Sequence, residues 1–533
     1  MIRFLQKLFY AVFLPICTGL LVGFSAIPSE YYYFSFVAFL PLLFASDYAM
    51  AHAKPLLIFV FQVLLALVTY FIMSFYWVLQ TANMGFLVAI LYVIPFVLLV
   101  SFYVYFKKAY PKFAALYFIA AWLTAELIQA NFQLGSPFFN LGNNLGANHK
   151  LIQWYEYTGG AGGTLWVLIV NFLLFSFIRN FSSSFKLLLQ RGLVLLFVVF
   201  APIIFSLSIY AGYKEKGHSK EVLVVHPSTD NRDVKYRVNI YELMDIYLGI
   251  MLPELSGNTE YVVLPETAIT NAGWVKDFNR NLVFNHFYEY TDSFPNLKLI
   301  TGAVVYEEIP DVEKIKHYQR IPGIRFSENY KTWYYTYNAA LQIEKDQAPQ
   351  LRVKDHLVPY QEYAPYPLVM PRLTPVGIDF QFSTRENNRM VYRANNGLQT
   401  AAMVCYEVVY NKLFYKASQE GAQAFFVLLN EGWYENGSVP KQFLQHSVIR
   451  AVENRRSIAH SSNMGISAII NQRGDVIAKT DSKQADTLRQ EIKLNRKVTF
   501  VARLGSYIEV LALMATLGLI AYIFVMKIKN PRL

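Results

Sequence analysis

Thr400-Ala401-Ala402-Met403-Val404-Cys405-Tyr406-Glu407-Val408-Val409-Tyr410 is the stretch on which the architecture of this chain turns. An apolar run passes straight into a cysteine flanked by polar neighbours, and residues 408–420 then take up helical spacing. Strand, thiol, helix is the order expected of an α/β domain that presents a side chain at the end of a sheet. That placement predicts a thiol near a helix N-terminus, with a lowered pKa and backbone N–H groups available to an oxyanion. Taken alone, a cysteine there also fits a buried packing residue.

Two other segments stand out beside it. Tyr261-Val262-Val263-Leu264 runs into Pro265-Glu266-Thr267, where proline stops the ladder and delivers a carboxylate at a sheet edge. Lys354-Asp355-His356-Leu357-Val358-Pro359-Tyr360-Gln361-Glu362-Tyr363-Ala364-Pro365 combines a lysine with a proline-marked aromatic loop. Singly, Glu266 also fits a solvated loop carboxylate and Lys354 a surface cation. Together the three segments hold a base, a fixed positive charge and a thiol, the parts needed to form and collapse a thioester. Further strands are expected at 222–225, 297–305, 339–343, 424–429 and 466–470, with a helix at 442–455. The whole region from 214 to 505 is a mixed α/β domain without repeats or a Gly-rich phosphate loop.

The flanks are different. Over 533 residues, 54% are apolar and only 16% charged, against about 25% charged in soluble chains. That excess excludes a purely water-soluble enzyme. Stretches approaching the roughly 20 apolar residues of a membrane span fall at 8–27, 31–45, 56–79, 85–106, 113–130, 165–178, 193–213 and 506–526. The second and sixth are short and open to tilting, re-entry or extension by their flanks. Seven spans thus precede the α/β domain in a first region, 1–213, and one follows in 506–533.

The net charge of +11 is spread over the ends of apolar runs rather than gathered in a basic stripe, which argues against nucleic acid. Arg3, Lys7, Lys54, Lys107, Lys108, Lys112, Arg179, Lys186, Arg191, Lys527, Lys529 and Arg532 fall on one side of the alternating spans; short loops on the other hold Lys150 alone. Cationic loops stay inside. Both termini are therefore expected inside and 214–505 outside. The basic start could also open a signal peptide, but further spans follow at once and Ser25-Ala26-Ile27 is a poor cleavage site. Cys17 sits in an apolar run, so no disulfide framework is expected, and Ile16 before it is unlike a lipid-attachment site. Glu126, in the fifth span, is a functional candidate by its depth, or else a snorkelled or loop-paired carboxylate.

Leu264-Pro265-Glu266, Lys354-x-His-Leu-Val-Pro and Cys405-Tyr406-Glu407, in this order, resemble the Glu-Lys-Cys set of the nitrilase superfamily. A spanning bundle before them and one helix after narrow the resemblance to the apolipoprotein N-acyltransferase family. So do 151–162, Arg450-Ala451-Val452-Glu453-Asn454-Arg455-Arg456, Asn463-Met464-Gly465-Ile466-Ser467 and Arg503-Leu504-Gly505. The resemblance implies an eight-helix membrane bundle joined to a nitrilase-like αββα sandwich. It further implies transfer of a phospholipid acyl chain, through a thioacyl-cysteine, to the α-amine of a diacylglyceryl-cysteine at a lipoprotein N-terminus.

By the same resemblance, Glu266 is the base, Cys405 the nucleophile, and Lys354 with the Tyr406 N–H the oxyanion holders. Glu362 and Glu407 support them, and Asn430, Trp433, Tyr434 and Tyr363 contact substrate, although the aromatics also fit interfacial anchoring. No metal or redox cofactor is implied. A monomer in the bacterial inner membrane is, with its α/β domain in the periplasm. This chain departs from the family pattern at Tyr360-Gln361, at Glu431-Gly432-Trp433-Tyr434-Glu435 and at His460. A membrane-tethered amidase and an inactive scaffold are the alternatives.

Overall fold

The computed structural model describes residues 2–28, 30–81, 85–132, 135–182, 184–310, 323–359, 361–363, 382–385, 388–432, 438–480 and 484–529. Contacts divide the chain into two compact units. One holds Met1–Gln80, Met84–Gly212 and Leu504–Leu533; the other holds Tyr213–Arg503 with Thr81–Asn83.

Among the described residues of the first unit, eight helices are long and apolar enough to cross a membrane. Seven come first: α1 (Phe4–Ala26), α2 (Glu30–Met50), α3 (Pro55–Trp77), α4 (Ile90–Ala109), α5 (Pro111–Asn131), α6 (Tyr155–Arg179) and α7 (Phe185–Gly212). The last is Tyr507–Lys529. The two spans that look short in the sequence are lengthened by their flanks. α2 starts with a 3-10 stretch, Glu30–Phe36. α6 starts at Tyr155, in a Gly-rich stretch that reads as loop, and passes a kink at Gly159, where φ is +63°.

Glu126 is neither snorkelled nor exposed. It lies fully buried on α5 and accepts from Trp122 Nε1 at 3.1 Å, Leu141 N at 2.9 Å and Thr164 Oγ1 at 3.0 Å. It thereby ties α5 to α6 and to the 3-10 segment Leu141–Leu151.

The second unit is an αββα sandwich. Among the described residues a seven-stranded sheet runs β13-β1-β2-β3-β5-β4, with β6 also paired to β5, and a six-stranded sheet runs β12-β11-β10-β9-β8-β7. The first seven in chain order are β1 (His218–His226), β2 (Thr259–Val263), β3 (Lys298–Glu308), β4 (Ile324–Ser327), β5 (Thr332–Glu344), β6 (Gln347–Val353) and β7 (Tyr392–Arg393). The others are β8 (Gln399–Val404), β9 (Phe425–Leu429), β10 (Ile458–Ser462), β11 (Ala468–Ile470), β12 (Val476–Lys479) and β13 (Asp486–Leu494). β1, β2 and β3 are parallel, as are β8, β9 and β10.

Parallel strands need both faces covered, and here they have it. α8 (Ile240–Met251) and α9 (Leu282–Thr291) place Leu243, Tyr247, Phe284 and Phe287 in one core with Val262, Leu299 and Leu341. α10 (Asn411–Gln419) and α11 (Val439–Asn454) cover the second sheet, with the Phe414 ring on Phe425. Between the sheets, the Tyr261 and Phe426 rings meet at 5.1 Å and Ser461 Oγ donates to Val225 O at 2.8 Å. All seven strands expected from the sequence are present. Cys405 opens a 3-10 turn, Cys405–Val409, ahead of α10 rather than a continuous α-helix.

Removing the Glu126 carboxylate strands three buried donors at about 1–3 kcal/mol each. Glu126→Leu is expected to lower stability by several kcal/mol, measured by thermal unfolding in detergent, and Glu126→Gln by less. An unchanged midpoint for Glu126→Leu would rule out the tie.

Candidate active site

The three segments singled out in the sequence meet at the C-terminal ends of their strands. After β2, Pro265 O accepts from Gly302 N at 3.1 Å and Thr267 takes a positive φ of +47°, so the Glu266 turn lies flat on β3. Gly302 makes this possible: a Cβ there would stand 2.4 Å from Thr267 N and 2.5 Å from Glu266 Cα. Lys354 follows β6 directly, and its N–H donates to Asn338 O of β5 at 2.8 Å. Cys405 follows β8 with φ +50°, a left-handed backbone unusual outside glycine, which lifts the side chain out of the sheet.

Lys354 is fully buried. Its Nζ donates to Glu266 Oε1 at 3.0 Å and Glu362 Oε1 at 2.8 Å. Asn338 Nδ2 bridges the same two oxygens at 2.8 and 3.0 Å, and Glu362 Oε2 accepts from Val358 N at 2.7 Å. Burial opposes the charge on Lys354, but Glu266 and Glu362 outweigh it and hold the ammonium well above its ordinary pKa. Burial raises Glu362, with Lys354 opposing and Glu266 adding to the rise.

The thiol differs from the sequence expectation. Burial, with the charges of Glu266, Glu362 and Glu431, pushes Cys405 well above its ordinary pKa, and Lys354 only partly offsets this. The local cue of a strand end predicts a lowered value; three carboxylates around a buried sulfur reverse it. A protonated thiol beside a carboxylate and a fixed ammonium suits attack in which the proton leaves as the sulfur bonds.

Glu407 does not touch Lys354. It accepts from Arg352 at 2.6 and 2.8 Å, from Val404 N at 2.7 Å and from Asp355 N at 2.7 Å. It therefore locks the end of β8, just before Cys405, to the end of β6 around Lys354. Burial raises Glu407, but Arg352 and the two backbone N–H groups hold it below the usual carboxylate range.

Tyr406 is buried, with its ring edge-on to Tyr410 at 5.4 Å. Asn430 Oδ1 accepts from Asn463 Nδ2 at 3.1 Å. Tyr363 is half-buried against Val304, Leu357 and Phe382. Trp433, Tyr434, Glu435 and Tyr360 lie outside the described residues. His460 is buried, and its Nδ1 shares a hydrogen bond with Ser447 Oγ at 2.8 Å.

Sequence reasoning missed Asn338, Arg352 and Lys235. Lys235 is wholly buried and donates to the Glu266 main-chain O at 2.7 Å; burial pulls its pKa down to about 7. None of the three stands in a motif that marks it. Among the described residues, no group of three His, Cys, Asp or Glu side chains is placed to hold a metal ion.

Arg352→Met leaves the Glu407 charge buried and alone, a change that typically costs about 3–5 kcal/mol. Chemical unfolding is expected to show that loss, and the double variant Arg352→Met/Glu407→Leu to recover most of it. Equal losses in single and double variants would show that the pair does not act as a clamp.

Residues 18–173 match the apolipoprotein N-acyltransferase N-terminal domain, and residues 250–499 the carbon-nitrogen hydrolase domain. The apolipoprotein N-acyltransferase of Chlorobaculum tepidum is 25% identical over 522 residues, covering 93% of this chain and 93% of its own. That of Rickettsia bellii is 24% identical over 477 residues, covering 87% of this chain and 86% of its own. For the Pseudomonas aeruginosa enzyme the identity is 26% over 387 residues, with 71% and 68% covered. With apolar helices and αββα domain both matched, and the likeness running through most of its length, the chain belongs to the apolipoprotein N-acyltransferase family.

Proposed function

We propose that this protein moves a fatty acyl chain from a phospholipid, through a thioester on Cys405, to the α-amine of the diacylglyceryl-cysteine at a lipoprotein N-terminus. The observation that carries this reading is the convergence of Cys405 with the buried Lys354 ammonium and a carboxylate pair, on a chain with eight helices of spanning length among its described residues.

In the first half-reaction Glu266 takes the Cys405 proton as the sulfur bonds to the ester carbonyl carbon. The Lys354 ammonium and the Tyr406 N–H hold the oxyanion. Its collapse breaks the ester C–O bond, and Glu266 returns the proton to the departing lysophospholipid. In the second half the acceptor nitrogen bonds to the thioester carbon, the C–S bond breaks, and a proton shed by nitrogen passes through Glu266 to the sulfur. The raised thiol pKa fits this order, since the sulfur stays protonated until its base acts. Glu362 holds Lys354, and Glu407 fixes the strand ends. Asn430, Tyr363, Trp433 and Tyr434 are proposed to contact substrate.

Attachment to spanning helices has a physical reason. At about 0.8 kcal/mol per methylene, drawing one long acyl chain into water costs on the order of 10 kcal/mol. A thiol held at the bilayer surface avoids that cost for donor and acceptor alike. The loop charges favour both termini inside and the α/β domain outside; the family likeness favours a bacterial inner membrane with that domain in the periplasm, and we propose that the protein acts there as a monomer.

The test is retention of label. Enzyme incubated with phospholipid labelled in its acyl chain is expected to hold a hydroxylamine-sensitive label under denaturing conditions and pass it to a diacylated N-terminal cysteine peptide. Label consumed by water alone, or never retained, would defeat the proposal. Cys405→Ser is expected to retain no label while folding normally, and full transfer by that variant would remove Cys405 as nucleophile. Glu266→Gln is expected to lose transfer almost completely. A rate within tenfold of the parent, a barrier change near 1.4 kcal/mol, would remove Glu266 as base.

A further inference from the structure

Glu431 is a buried carboxylate that the mechanism above leaves unused. β9 lies between β8 and β10 in parallel register, with Leu428 opposite Val404 and Leu429 opposite Ser462. The chain leaving β9 therefore emerges between Cys405 on one side and the 462–466 turn on the other. Glu431 is 1% exposed. Its Oε2 accepts from Ser462 Oγ at 2.6 Å, and the Ile466 backbone N–H also favours its charged form. Gly465 makes room for it, since a Cβ there would fall 1.6 Å from that oxygen. Among the described residues the other oxygen, Oε1, is buried with no hydrogen-bond partner, and no cation pairs with the carboxylate.

Asn231 has a complementary vacancy. It is 2% exposed, and its Oδ1 faces Asn463 Nδ2 at 3.2 Å. Among the described residues its Nδ2 is buried without a partner. This amide reaches the residue after Glu431, because a Cβ on Gly432 would stand 2.7 Å from Asn231 Nδ2. An open acceptor thus sits on Glu431 and an open donor beside the next residue, near a thiol whose charge Glu431 feels. Buried polar groups left open at a reaction centre point to a ligand that closes them.

We propose that Glu431 and Asn231 form a subsite for an ammonium group with a neighbouring carbonyl, filled in the second half-reaction by the α-ammonium and own carbonyl of the acceptor's N-terminal cysteine. The inference rests on the acyltransfer reading above. An α-amine has a pKa of about 7.7–8.0, so at neutral pH the acceptor arrives mostly as an ammonium with no lone pair to attack. Glu431 Oε1 accepts its hydrogen bond and then its proton. The neutral amine forms the C–N bond as the C–S bond breaks, the second proton passes through Glu266 to sulfur, and Glu431 releases its own proton to water. Burial, with Glu266 adding to it, raises Glu431 to about 7, a value suited to that exchange. The groups facing Glu431 are Cys405, Glu266 and the Ser462 hydroxyl.

A phospholipid with an ethanolamine head group also carries an ammonium, so the experiment separates the two sources. Full-length parent, Glu431→Gln and Glu431→Asp enzymes in detergent are loaded from acyl-labelled donors with ethanolamine or glycerol head groups, then chased with a diacylated cysteine peptide or with hydroxylamine. The expected result for Glu431→Gln is a transfer to peptide at pH 7 that falls about thirtyfold further than loading does, with discharge by hydroxylamine unaltered. Glu431→Asp regains most of the transfer. Parent transfer rises with pH through about 7, whereas Glu431→Gln follows the ionisation of the peptide amine nearer 8.

Slower loading of Glu431→Gln from the ethanolamine lipid alone, with normal transfer, would assign the subsite to the donor and overturn the proposal. So would equal losses in loading, transfer and hydroxylamine discharge, which mark a structural role. A parent that never retains label overturns the acyltransfer reading itself; a parent that loads and transfers normally beside an unimpaired Glu431→Gln overturns the subsite alone.

Discussion

Lys354 has no access to water, yet two carboxylate oxygens stand within 3.0 Å of its nitrogen. Ions taken out of water lose several kcal/mol of hydration each, and only close pairing with every remaining hydrogen bond satisfied offsets that loss. The rest of the domain is arranged to meet this condition. Asn338 supplies the missing donor to both carboxylates, and the Val358 N–H supplies another to Glu362. These groups come from β5, from the end of β6 and from the turn beyond it. The ladder in which Ala339 faces Val353 must therefore be in register, since a slip of one residue turns Lys354 to the other face.

A second ion pair holds the nucleophile to this frame. Arg352 precedes Lys354 by two residues and Glu407 follows Cys405 by two, and both pair side chains are fully buried. Each carboxylate oxygen of Glu407 also takes one backbone N–H, from Val404 and from Asp355. Such cross-linking is what a left-handed backbone at a cysteine requires, because a conformation of that kind costs on the order of 1–3 kcal/mol and persists only where its surroundings fix it. Thr267, beside Glu266, is held in the same way on the first sheet. Of these two left-handed residues, one adjoins the proposed base and the other is the proposed nucleophile.

Much of this was legible in the sequence because the Glu266 and Cys405 segments repeat one local pattern, an apolar run ended by a polar residue, and prolines and aromatics mark the loop after Lys354. The strands that escaped notice lack that pattern. β6 reads Gln-Ala-Pro-Gln-Leu-Arg-Val, and β13 is a half-exposed edge strand with charges on its open face. β10 is wholly buried although it carries His460, Ser461 and Ser462, whose polar groups bond within the sandwich and to β1. Asn338 and Arg352 were invisible for a different reason. Their importance comes from which strand lies beside which, and a single chain does not display that. The thiol shows the same limit in sign: its sequence neighbours suggest an acidic group, and its neighbours in space make it a weaker acid than usual.

The backbone of Cys405 has a consequence in time as well as in space. Ordinary residues visit the left-handed region only a few per cent of the time, so a nascent chain almost never displays this sulfur in its raised posture. That posture stands next to the Val404 and Asp355 N–H groups that both donate to the Glu407 side chain. The posture of the proposed nucleophile is therefore a property of the completed fold and not of the local sequence around it.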